Sequence, residues 1–159
     1  MKEIKLTQGK VAIVDDDDYE RLSQFKWHAR KREKTYYAMR SLPIGNGKYL
    51  RVRMHRDILN VSEDTQIDHI DRNGLNNQKS NLRPCDHAEN QWNTDAPITN
   101  TSGVKGVSWD KTNRKWLVQL HCRNKKIHLG RHPDKEEAVK IYDNAAKEHF
   151  GEFARPNYG

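Results

Sequence analysis

The sequence predicts an α+β protein built as two small domains, and three observations carry that expectation. The first 60 residues alternate polar and apolar side chains in short runs broken by turn residues, a pattern of small strands. Residues 66–93 then read strand, turn, strand, helix. After a polar, turn-rich stretch at 96–103, DAPITNTSG in context, three strand-like runs are followed by one long helical pattern. The expected division is 1–95, a linker at 96–103, and 104–159. A length of 159 residues allows one domain or two small ones, and at 34% apolar content each core must be small.

Taken in order, Ile4 and Leu6 alternate, Gln8-Gly9 marks a turn, and KVAIV at 10–14 reads as a strand. A helix is expected to start in the run of aspartates at 15–18 and to end near Phe25, with Tyr19, Leu22 and Phe25 on one face. Four consecutive carboxylates invite a metal reading. A helix N-terminus attracts carboxylates in its own right, and Asp15 or Asp16 suits a cap, so a structural role is expected. A strand at 25–29 follows with Trp27 in the core, then a basic loop of Lys31, Arg32 and Lys34. Residues 36–40 and 49–53 pair across a turn at 43–47, and MHRDILN at 54–60 forms a short helix.

The chemistry concentrates in QIDHIDRNGLNNQKSNLRPCDHAENQWN. Asn81 lies 12 positions after His69, and Asn90 lies 21 after it. Residues 66–70 suit a short strand, and Asn73-Gly74 suits a tight hairpin turn because both types tolerate positive φ. Residues 80–83 form the second strand or turn, and Pro84 ends it. Asp86 and Glu89 fit a capping box for a helix over 86–93. Asp68 offers a carboxylate and Asn90 an amide oxygen, hard donors for one divalent cation. An imidazole beside them, with an ordinary pKa of about 6.5, suits a general base near neutrality. Asn81 is placed to accept from the other ring nitrogen and fix its tautomer. Taken singly, the bland readings compete: Asp-His pairs are common and Asn-rich segments usually turn.

The residues Asp68-His69, Asn81 and Asn90, with DHIDRNGLNNQKSNLR between them, resemble the HNH (His-Me finger) endonucleases, specifically the phage and intron homing branch. His55-Arg56 resembles the His-Arg pair that precedes the Asp-His strand there, and LTQGKVAIVDDDDYERLSQFKW resembles a leader found before such motifs in phage proteins. The resemblance implies a ββα-metal fold in which His69 is the general base, Asp68 and Asn90 bind one Mg2+ or Mn2+ ion, and Asn81 orients His69. It implies cleavage of DNA, as nicks or as paired nicks. Arg53 and Arg56 are expected on phosphates. His55 is expected to touch phosphate, assist the site, or simply pack.

In the C-terminal part, Val107 and Trp109, then Trp116, Val118 and Leu120, then Ile127 and Leu129 mark three strands, and Asp134 with Glu137 caps a helix closed by Gly151. One sheet face packs on the helix, with Trp116 in the core. The other is expected to expose Lys105, Ser108, Gln119, His121, Lys126 and His128, with Arg123 at a turn. Arg, Lys and Gln on such a face reach base edges in a major groove. The phrases GVKGVSWD, KWLVQL, KKIHLG and EEAVKIYDNAAKEHFGEFARPN resemble the Apetala/ethylene-response-type DNA-binding domain over about 50 residues. Ser108, His121 and His128 stand where plant members usually carry arginine or tryptophan.

Composition agrees with a polyanion partner: the net charge is +7, and sequence pI is about 9.4. The partner expected is double-stranded DNA, with no membrane and no obligate protein partner. Cys85 and Cys122 form no CxxC pair, so neither a disulfide framework nor a structural zinc is expected. Reduced thiols and the absence of a signal-like or membrane-length apolar run point to the cytoplasm of a bacterial or phage-infected cell. The alternative carried alongside is a sequence-specific DNA-binding or regulatory protein with a relic nuclease fold that does not cut.

Overall fold

Short alternating runs do become short strands. A computed structural model describes residues 1–32, 35–97 and 99–158, so Lys34 of the expected basic loop, Ile98 of the expected linker and the terminal Gly159 lie outside the described residues. The chain is mixed α+β, with several small antiparallel sheets and four α-helices among the described residues. It divides into two compact units, Met1–Asp86 and His87–Gly159.

In the first unit, β1 (Lys2–Lys5) pairs antiparallel with β2 (Val11–Val14). Their alternation buries Ile4, Ala12 and Val14. Helix α1 (Asp16–Ser23) begins with three aspartates in its first turn, where the helix dipole favours them. It buries Leu22 completely and ends two residues before the expected Phe25. The reason is Trp27: its indole Nε1 donates to the carbonyl of Leu22 at 2.8 Å, closing the helix and placing the ring in the core. Phe25 is left exposed. The strand expected at 25–29 therefore starts later, as β3 (His28–Arg32).

β3 pairs with β4 (Thr35–Gly45), and β4 with β5 (Lys48–Arg53). The turn is narrower than the expected 43–47. Asn46 and Gly47 both take positive φ, at 50° and 67°, the requirement of a two-residue hairpin turn. Helix α2 (Met54–Leu59) follows at once and buries Met54 and Ile58. Then β6 (Gln66–His69) pairs with β7 (Leu82–Cys85), in a register that sets Asp68 opposite Arg83 and His69 opposite Leu82. These apolar residues form one core, in which each fully buried aliphatic side chain contributes about 2 kcal/mol.

The expected tight turn at Asn73-Gly74 is not there. The register leaves residues 70–81 as one long loop between β6 and β7, and neither Asn73 nor Gly74 has positive φ. Gly74 serves a close approach instead: a Cβ there would stand 2.5 Å from the Tyr36 carbonyl oxygen and 2.7 Å from the Tyr37 ring.

In the second unit, α3 (His87–Trp92) precedes a three-stranded antiparallel sheet of β8 (Val107–Asp110), β9 (Lys115–Cys122) and β10 (Lys125–His132), with β9 central. Helix α4 (Lys135–Phe150) packs on one face, burying Val118 and Leu120 against Ala138, Val139 and Tyr142. Asp134 caps α4 as expected, accepting from the Glu137 amide at 2.8 Å. Trp116 packs against this core.

The division after Asp86 places α3 and the expected linker with the C-terminal sheet, earlier than the expected boundary at 95. The Trp92 ring stacks on Phe150 with centroids 4.3 Å apart, and Arg155 pairs with Asp95 at 3.0 Å. Asn100 gathers the Ser102 and Gly103 amides and donates to Val104, so this stretch is a built turn.

Candidate functional site

Asp68 and His69 are the last two residues of β6 and are 5% exposed each. Adjacent strand residues point to opposite sides. Asp68 turns to its cross-strand neighbour: Oδ2 accepts from Arg83 Nε at 3.0 Å and Nη2 at 2.7 Å, a buried ion pair. His69 turns to two other rings. Its centroid lies 5.1 Å from His55, nearly perpendicular to it, and 5.6 Å from Tyr37. Tyr37 and His55 are themselves 5.7 Å apart, so the three rings form an edge-to-face cluster drawn from β4, α2 and β6.

Burial pushes the His69 imidazole below its ordinary pKa, against the opposing pull of the Asn77 side chain and the Asp71 and Asp68 charges. Burial also drives His55 down to about 3, helped by the nearby charges of His69, Arg53 and Arg56. Both imidazoles are thus held neutral near pH 7, and a neutral imidazole is the form that accepts a proton. His55 Nδ1 is buried without a hydrogen-bond partner.

The loop after His69 is held by side chains that imitate backbone turns. Asp71 is its hub: Oδ1 accepts from the Asn73 amide at 2.8 Å and from Asn81 Nδ2 at 2.9 Å, and Oδ2 from Asn76 Nδ2 at 2.8 Å. Burial raises the Asp71 carboxyl, but these donors outweigh it and its pKa falls below the usual range. The Asn81 Oδ1 accepts from the Asp71 amide at 2.9 Å, and its Nδ2 also donates to the Asn76 carbonyl at 2.8 Å. Asn81 was expected to accept from His69. Its amide is instead committed to the loop, because Asp71 and Asn76 lie across the loop from it, and Asn77 is the amide whose side chain influences the imidazole.

Three further residues moor this loop. Ile13 of β2 bonds Leu75 and Asn77 through backbone groups at 2.8 and 2.7 Å. Asp15 accepts from the Lys79 amide at 2.8 Å and from Gln78 at 3.1 Å, while Asp18 pairs with Lys79 Nζ at 2.8 Å. Asp15 stands at the N-cap of α1, but its carboxylate braces the loop and bonds no amide of the helix.

Asn90 lies on α3, in the second unit. Arg53 ends β5 opposite Met39. Arg56 donates through Nη1 to the Ser62 carbonyl at 2.6 Å, which ties down the connection from α2 to β6. On the sheet face away from α4, the register sets Ser108 beside Leu117, Gln119 beside His128 and His121 beside Lys126. Arg123 sits at the β9–β10 turn with φ 53°, near Glu89 at 3.9 Å. Lys105 is a correction: its Nζ donates to the carbonyls of Trp92 and Thr94 at 2.8 Å each and of Arg155 at 3.4 Å. It clamps three chain segments and is not part of the open face. Arg131, which sequence reasoning passed over, does belong there, held by Asp110 at 2.7 Å. Only the bulge between His128 and Gly130 reveals its side.

Among the described residues no group of three or more His, Cys, Asp or Glu side chains is gathered to hold a metal. The Asp68 carboxylate carries hard oxygen donors of the kind a divalent cation takes, whereas Asn90, the other expected ligand, belongs to the second unit. Arg83 sits on Asp68 Oδ2, so a cation at this carboxylate shares it with the guanidinium or displaces it.

No family model and no solved structure matches the chain. Two curated proteins do. "Protein 3.8" of Escherichia phage T7 is 42% identical over 89 residues, covering 56% of this chain and 73% of that protein. "Uncharacterized HNH endonuclease L560" of Acanthamoeba polyphaga mimivirus is 33% identical over 157 residues, covering 94% of this chain and 76% of that protein. The chain belongs to the HNH endonuclease family. Asp68, His69 and Asn81 are all within the first unit, and both relatives are viral proteins. No helix among the described residues is long and apolar enough to cross a membrane.

Proposed function

We propose that this chain is a metal-dependent DNA endonuclease of homing or phage type that hydrolyses phosphodiester bonds one strand at a time, with His69 as general base. The observation that carries the reading is the buried, neutral His69 imidazole at the end of β6, next to Asp68, in a chain of the HNH family. His69 takes a proton from a water as that water's oxygen attacks phosphorus. The bond from phosphorus to the 3′ oxygen breaks, and the departing oxygen is protonated from solvent. The Asp68 carboxylate would hold one Mg2+ or Mn2+ ion, which would supply charge stabilisation for the phosphate and the departing oxygen; Asn90 enters as its second ligand on the sequence resemblance alone. Asn81 is a positioning residue that holds the loop carrying the chain away from His69. The tyrosine and histidine rings of Tyr37 and His55 set the plane of the base.

The same reading gives duplex DNA two sets of contacts. Arg53 and Arg56 meet phosphates near the scissile bond. Ser108, Gln119, His121, Arg123, Lys126 and His128 meet the duplex from the open face of the C-terminal sheet, a domain of the Apetala/ethylene-response type. Single cations on phosphates position the enzyme, whereas Gln119 and the histidines face base edges.

A supercoiled plasmid assay at low salt, where phosphate contacts give target-independent binding, tests this with and without Mg2+ or Mn2+. Nicking that needs the ion, and loss of both nicking and ion response in Asp68→Ala, is the expected result. An Asp68→Ala chain that nicks with an unchanged metal titration would remove Asp68 as a ligand. One observation favours a second reading, a DNA-binding protein that does not cut: Arg83 already occupies the carboxylate the ion needs. Tight duplex binding without nicking in either ion is the outcome that selects it.

A further inference from the structure

The distal half of the β4–β5 hairpin stands apart from the rest of its sheet. β3 pairs with β4 only as far as Met39, so residues 40–53 form a two-stranded ribbon with no third strand. Such a ribbon buries little of itself, and its apolar side chains are open: Ile44 is 59% exposed and Tyr49 65%, with Leu42 and Leu50 also exposed. The register sorts them. Leu42 faces Leu50 on one side, and Ser41 with Arg51 and Pro43 with Tyr49 lie on the other. A bulge between Pro43 and Gly45 interrupts the register at Ile44, at the tip.

Charge decides what the ribbon meets. Residues 40–53 carry Arg40, Lys48, Arg51 and Arg53 and no acidic residue. Arg40 is spent at the base, paired with Asp57 at 3.0 Å and lying 4.0 Å over the Phe25 ring. No ion pair engages Lys48 or Arg51 among the described residues. An exposed apolar strip flanked by unpaired cations of one sign, on an element as narrow as two strands, matches a nucleic-acid groove better than a protein surface. A two-stranded ribbon fits the major groove, and aliphatic tips press on base edges or wedge between base steps.

We infer that the β4–β5 ribbon is a separate DNA-contacting element, which enters a duplex groove with Leu42, Ile44 and Leu50 against the bases while Lys48 and Arg51 hold the flanking phosphates. The inference rests on the reading of duplex DNA as the partner, and it extends the DNA footprint beyond the nuclease loop and the C-terminal sheet.

The test is duplex binding by the full chain, followed by fluorescence anisotropy in EDTA across a salt series, so that affinity is read without cleavage. Lys48→Ala with Arg51→Ala should reduce the magnitude of the slope of log affinity against log salt by about 1.8, the release expected for two phosphate contacts. Leu42→Ser with Ile44→Ser should leave that slope unchanged and weaken binding roughly tenfold or more, the scale of burying one aliphatic side chain. All four residues are on the surface, so far-UV circular dichroism and thermal midpoint should match wild type. Affinity within twofold of wild type and an unchanged slope in both double variants would overturn the inference. A wild-type dimer in sedimentation that the serine variant converts to monomer, with no change in DNA affinity, would also overturn it and assign the ribbon to a second copy of the chain. If the wild type never nicks but the ribbon variants lose affinity as stated, the cleavage reading falls and the ribbon stands.

Discussion

His55 and His69 illustrate how much a single side chain's surroundings change its chemistry. An imidazole in water is half charged near pH 6.5; His55 is held at about 3 by burial and by neighbouring positive charge. The unfolded chain therefore binds a proton at this residue that the folded chain refuses. Stability from this source is fully present above pH 6.5 and is lost as pH falls toward 3. Between pH 7.5 and pH 5 the wild type should lose about 2 kcal/mol more unfolding free energy in urea titrations than His55→Phe does. Equal losses would place His55 in a wetter site than its burial indicates. Asp68 is different: its charge is met by Arg83 inside the protein. Removing Arg83 takes the guanidinium partner from a buried carboxylate, and breaking a buried ion pair in this way typically costs about 3–5 kcal/mol. Arg83→Ala should therefore lower the thermal midpoint sharply, and added Mg2+ or Mn2+ should recover part of the loss if the ion binds Asp68.

The element that organises the site is the long loop between β6 and β7, and it was only partly legible in the sequence. Its flanks were: Asp68-His69 end the expected first strand, and the strand, strand, helix order runs in sequence through β6, β7 and α3. Its interior was not. Asn73-Gly74 satisfies the local chemistry of a tight turn, yet Asp71, Asn76 and Asn81 together offer enough donors and acceptors to stabilise a wider loop. Local propensity says which residues can turn; only the tertiary neighbours, here Ile13, Asp15 and Tyr36, say which turn is made. Tyr37 escaped notice for the same reason, since an aromatic residue in an alternating strand carries no mark of facing a buried histidine. Asn81→Ala should remove three hydrogen bonds at this hub and lower stability by about 1–3 kcal/mol, measured by thermal unfolding, with nicking reduced and duplex affinity kept. Full nicking by that variant would mean the loop does not position the base.

At the scale of the whole molecule, the expected boundary at 95 and the division of the structure after Asp86 fall at different places. The composition shift at 96–103 is real, but Trp92, Asp95 and Lys105 are committed by stacking, ion pairing and carbonyl contacts to the C-terminal unit, and contacts of that kind leave no periodic trace. Lys105 shows the cost of reading exposure from charge alone. The net charge of +7 remains a statement about the partner. Duplex affinity should fall steeply and linearly on a log–log scale as salt rises, and a flat salt response would contradict the polyanion reading. Each unit also has its own apolar core. The central claim, that His69 is the base of a nuclease, is tested most directly by nicking of a supercoiled plasmid in Mg2+ or Mn2+ by wild type and His69→Ala, with duplex affinity measured beside it. The account predicts that His69→Ala keeps wild-type affinity and nicks more slowly by about 10²–10⁴-fold, the usual contribution of a general base; wild-type nicking by His69→Ala would contradict it.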